Sequence, residues 1–86
     1  MTEDVFFTQE HAARVAAQLG IDWNEVTFDL DQFCRGMNVE LEHGRRDPQT
    51  DVTGDDPLTT GKIALAHLHE LPDYYSRLAD IEAPAP

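Results

Sequence analysis

The chain has 86 residues, 41% hydrophobic and 27% charged, with six Lys+Arg against 17 Asp+Glu and a formal charge of −11. That length allows one domain burying about 60–65% of its unfolded surface, and the charge excludes the basic patch that non-specific binding to DNA or anionic membrane requires. The one adjacent basic pair is Arg45-Arg46, so an acidic surface would attract a partner protein with a basic surface and repel nucleic acid.

One cysteine, Cys34, permits no internal disulfide and fits a reducing compartment. The opening MTEDVFF has no apolar signal segment, and no apolar run approaches the ~20 residues of a membrane span. A cytoplasmic location is expected. Composition leaves the oligomeric state open.

Along the chain, Thr8 can cap a first helix, with Phe7 stapled onto Ala12. Ala12, Val15, Ala16 and Leu19 repeat at helical spacing, and Gly20 ends the run. DWNE, Asp22 to Glu25, reads as a capping box over a short turn, with Trp23 covering one end of the core. In FDLDQF, Asp29 caps, Gln32 stands three residues on, and Phe28 and Phe33 form a staple. Leu30, Phe33, Cys34, Met37 and Leu41 then share one face, which predicts a second helix over Leu30 to His43, closed by Gly44. Gly36 inside it costs about 1 kcal/mol relative to alanine.

Arg45 to Asp56 is a long polar loop. Its aspartates, Asp47, Asp51, Asp55 and Asp56, do not follow the alternating spacing of an EF-hand and read instead as turn and cap residues. Asp56-Pro57 opens a third helix running to about Leu71, with Gly61, Ala64, Leu65, Leu68 and Leu71 on its apolar side. After Pro72 a short helix, PDYYSRLADI, packs either through Tyr75, Leu78 and Ala79 or through Tyr74, Leu78 and Ile81. The fold class is therefore all-α: residues 1–82 form a single small domain of three to four short helices, and residues 83–86, APAP, a disordered tail.

One constellation carries chemistry. On the second helix Gly36, Glu40 and His43 fall at i, i+4, i+7 along the margin of the apolar stripe; on the third, Ile63, His67 and Glu70 form a similar line. Glu42 points to solvent. Glu40-x-x-His43 and His67-x-x-Glu70 each place a carboxylate and an imidazole on one helix face, a spacing used by carboxylate-bridged metal proteins. Two readings follow. In the first, a glutamate of one helix accepts a hydrogen bond from a histidine of the other and no cofactor is needed, with Gly36 allowing the third helix to come close. In the alternative, Glu40, His43, His67 and Glu70 hold one divalent transition metal. Acid–base catalysis by the same groups is a third, weaker fit. Cys34 lies on the core face, and no nucleophile elbow, Cys-x-x-Cys or phosphate loop is present. Asp73, Tyr74 and Tyr75 offer a ligand or partner surface, although helix-packing tyrosines are commoner.

The run FDLDQFCRGMNVELEHG, followed by VTGDDPLTTGKIALAHLHELPDYYSRL, resembles a bacterial family of small proteins known only as a domain of unknown function. A shortened form of the signature is similar to segments of phage-associated proteins. The resemblance spans about Phe6 to Glu82 and rests on Gly36, Val39, Glu40, Glu42, His43, Gly44, His67, Glu70, Pro72, Asp73, Tyr74 and Tyr75. It implies no established activity and transfers no catalytic residue. By analogy it implies a structural or accessory role. The leading expectation is a non-catalytic protein–protein interaction module.

Overall fold

The computed structural model describes residues 6–82; the expected tail, 83–86, lies outside them. Four α-helices follow one another: α1 (Gln9–Leu19), α2 (Leu30–Glu40), α3 (Pro57–Glu70) and α4 (Tyr74–Glu82), with a 3₁₀ turn (Leu41–His43) after α2. The described residues contain no strand. The all-α class stands.

The helix ends are set by local chemistry. Thr8 accepts a hydrogen bond from the His11 N–H (3.1 Å). Gly20 adopts φ 75°, which lets its N–H reach Ala17 and that of Ile21 reach Ala16, so the last carbonyls of α1 are satisfied. Asp29 caps α2 by accepting from the Gln32 N–H (2.9 Å). Gln32 does not complete a capping box: its side-chain amide donates to Ser76 of α4 (3.1 Å). Asp22 accepts from the Asn24 N–H (3.0 Å), so DWNE is an Asx turn and not a capping box.

At the start of α3, Asp56 accepts from both the backbone N–H and the hydroxyl of Thr59. Those hydrogen bonds hold its carboxyl below the ordinary carboxylate range. A carboxyl whose pKa is depressed by folding contributes stability above its unfolded pKa, about 3.9, and loses it as pH falls through the folded value. Asp56→Ala is therefore expected to lower Tm at neutral pH, with the gap to the parent narrowing below about pH 4. A pH series of melting curves checks this; a gap unchanged down to pH 2 would contradict it.

α2 is the central helix, packed against α1, α3 and α4. Phe7, Ala12, Val15, Ala16, Phe28, Phe33, Met37, Ala64, Leu68 and Tyr75 form the dense part of the core. The buried face of α3 is Thr60, Gly61, Ala64 and Leu68, with Leu65 and Leu71 only half-buried beside it. In α4, Tyr75 is buried and Tyr74 and Leu78 pack against the core, while Ala79 and Ile81 are exposed, so the packed side combines parts of the two faces considered for this helix. Cys34 is buried and its thiol donates to the Phe7 carbonyl (3.5 Å); burial, then the nearby Asp31 charge, pushes the thiol pKa up. It packs and is not poised as a nucleophile.

Gly61 marks a close approach of α3 to α1. A Cβ there would stand 2.6 Å from Val15 Cγ1 and 3.4 Å from both Leu19 and Phe33. Gly61→Ala is expected to destabilise by about 1 kcal/mol, the overpacking cost exceeding the helix-propensity gain. Urea unfolding checks the sign; a stabilised variant would contradict it.

Candidate functional site

The site is built where α2 ends. Glu40 is the last residue of α2 and only 3% exposed, the sole buried carboxylate among the described residues. A buried carboxylate must be hydrogen-bonded. Its Oε2 accepts from the Tyr75 hydroxyl (2.6 Å) and lies 2.9 Å from His67 Nδ1. Since a carboxylate only accepts, the proton of the imidazole is assigned to Nδ1. His67 Nδ1 also lies 3.0 Å from the Tyr75 oxygen, so the three groups form a closed triangle drawn from α2, α3 and α4.

Each corner is held by packing. Tyr75 is 1% exposed, and burial, followed by its hydrogen bond to Glu40, pushes its phenol pKa far up. It acts as a donor, not as an acid. The Tyr74 ring stacks on His67 with centroids 4.3 Å apart and planes 10° from parallel, covering one imidazole face. The Tyr75 ring passes directly over Gly36, where a Cβ would collide with ring carbons. Gly36 thus admits the aromatic ring of α4. The expectation that it serves the approach of α3 is corrected.

His43 and Glu70 do not join. His43 Nε2 is 3.9 Å from Glu40 Oε1, too far for a hydrogen bond, and its side chain is 53% exposed. The chain tightens to a 3₁₀ turn over Leu41–His43. In a 3₁₀ turn residues i and i+3 eclipse, so His43 stays in line with Glu40 while its ring extends into solvent. His43 contributes instead through its carbonyl, which accepts from the N–H groups of Val52 (2.6 Å) and Thr53 (3.2 Å) and ties the long loop to the end of α2. Glu70 ends α3 exposed to solvent. Among the described residues no three His, Cys, Asp or Glu side chains converge in a metal-holding group. The alternative of one divalent metal on Glu40, His43, His67 and Glu70 is therefore set aside on the geometry of those four residues.

The loop aspartates are likewise used by the backbone. Asp47 accepts from the Gln49 N–H, Asp51 from Gly54 and Asp55 from Arg45. They act as turn residues, as their spacing suggested.

A profile of the family described as "Protein of unknown function (DUF5661)" matches residues 12–84, which take in all three corners of the triangle. The chain belongs to the DUF5661 family. Comparisons with curated proteins and with solved structures gave no match.

In this DUF5661 protein, of the surface expected at Asp73, Tyr74 and Tyr75, Asp73 and Tyr74 are partly exposed and Tyr75 is not. Tyr75 is interior, Tyr74 is half-buried against His67, and Asp73 accepts from Arg77 Nε (2.9 Å). Two roles went unread in the sequence. Tyr75, read there as a packing or surface residue, completes the triangle. Asn38 clamps the start of the chain: it accepts from the Phe7 N–H (3.0 Å) and donates to the Phe7 and Cys34 carbonyls. Nothing short-range marks that role.

Chemically, a buried carboxylate and a phenol O–H fix one imidazole nitrogen, while the His67 side chain remains 31% exposed. The arrangement locks three helices together through one polar joint. The same contacts orient the imidazole through Nδ1. None of the described helices is long and apolar enough to cross a membrane.

Proposed function

We propose that this DUF5661 protein is a non-catalytic accessory module that binds a protein partner of basic surface. The carrying observation is the distribution of its charge. The net charge is −11, and among the described residues every carboxylate except Glu40 is exposed or half-exposed. Such a surface attracts cationic partners and raises their rate of encounter. The buried polar triangle supports the same reading, because its members spend their hydrogen bonds on one another and so serve the fold. Immobilised protein is expected to retain a basic partner at low salt. The partner should elute as salt rises toward about 1 M, where the screening length falls to about 3 Å. Substituting the exposed acids by their amides should abolish retention. Retention indifferent to salt and to those substitutions would contradict the proposal.

A further inference from the structure

Two cavities meet at Phe28, on the turn between α1 and α2. One, about 270 Å³, is lined by Trp23, Phe28, Asp29 and Leu30. The other, about 220 Å³, lies across Phe28 among Val26, Thr27, Leu68, Glu25 and His69. Phe28 lines both, and Trp23 stands edge-on to its ring, with centroids 6.0 Å apart and planes at 85°. Trp23 also packs edge-on to Phe33, yet stays 39% exposed. A tryptophan fixed in orientation by two rings but open on one side is the residue type that most often anchors an interface.

Size and charge select the occupant. Each cavity falls below the ~300–1,000 Å³ of small-molecule sites, which suits single side chains better than a compact ligand. The charged residues that line them are Glu25 and Asp29, both exposed, and neither cavity is lined by Lys or Arg. Asp22, beside Trp23, is a further exposed acid, and His69 is the one lining group able to become cationic. A second copy of this chain would bring like charge against like. We infer that the Trp23–Phe28 groove docks a cationic amphipathic peptide segment of a partner protein, with apolar side chains in the two cavities and Lys or Arg beside Glu25 and Asp29. This rests on the acidic-module reading above and gives it a location.

The test uses three synthetic probes on the full chain: an amphipathic Lys/Leu peptide, a Lys/Ser peptide of equal charge and a Glu/Leu peptide. Trp23 is the single tryptophan, so its emission reports occupancy directly, and calorimetry follows the variants. The Lys/Leu peptide should bind one-to-one and shift the emission, with the other two at least about tenfold weaker. Trp23→Ala should weaken binding by about tenfold or more. Because that variant can disturb packing, Glu25→Gln with Asp29→Asn is the second test. Asparagine still caps α2, so the loss of affinity should come without a change in helicity. Equal binding of the Lys/Ser peptide, or wild-type affinity in both variants, would overturn the groove while leaving the acidic-module reading intact. Equal binding of the Glu/Leu peptide would overturn the charge selection of the occupant. Failure of both cationic peptides to bind at low salt would overturn the groove and the acidic-module reading together.

Discussion

Glu40→Ala is expected to lower the unfolding free energy by about 3 kcal/mol, a large share of the ~5–15 kcal/mol available to a small domain. The variant removes a charge-assisted acceptor and leaves the buried Tyr75 hydroxyl without one of its two partners, while His67 Nδ1 loses its carboxylate. The His67 side chain is 31% exposed, so water can replace part of what it loses; Tyr75, at 1%, has no such relief. For a chain of this length the corresponding fall in Tm exceeds about 10 °C. Glu40→Gln keeps an acceptor for the phenol and should lose about half as much. Urea unfolding of the three proteins decides the matter. An effect within about 0.5 kcal/mol, as for an ordinary surface acid, would show that the triangle carries no stability.

Gly36→Ala is expected to destabilise by about 1–2 kcal/mol, against the direction of helix propensity. In an open helix the change would gain about 1 kcal/mol. Here the new methyl would meet the Tyr75 ring, whose Cδ2 and Cζ lie 2.9 and 3.0 Å from the Cβ position. The ring cannot swing aside cheaply, because its hydroxyl is tied to Glu40 and its body is buried. Overpacking of this kind costs about 1–3 kcal/mol, occasionally more, and outweighs the gain. A variant more stable than the parent in thermal or urea melts would mean that α4 does not sit on Gly36.

What the sequence made legible was mostly local. Thr8, Gly20, Asp29 and the Asp56-Pro57 pair mark helix ends by side chains that bond within four residues, so their reading needs no knowledge of the tertiary fold. The apolar line through Phe33, Cys34 and Met37 located the core face of α2 for the same reason. Glu40 and His67 were legible as inward-facing because helical spacing places them at the margin of apolar stripes. The rest depended on which helix faces which. Spacing gives the direction of a side chain but not its neighbour, so Glu70 was grouped with His67, although it stands at the exposed end of α3. His43 shares the line of Glu40, but spacing does not show that its ring extends into solvent, 3.9 Å from the carboxylate. Tyr75 was indistinguishable from Tyr74 in sequence; the packing of α4 over Gly36 sends one inward and stacks the other on His67. Asn38 bonds across 31 residues, beyond the reach of any local pattern.

The account turns on Glu40 being bound to Tyr75 as a joint between α2 and α4. A double-mutant cycle of Glu40→Ala and Tyr75→Phe, followed by urea unfolding, measures that joint directly. The predicted result is a coupling of at least about 1 kcal/mol, the double variant losing less than the sum of the singles because each removes the same hydrogen bond. Additive losses, with no coupling beyond about 0.3–0.5 kcal/mol, would contradict it.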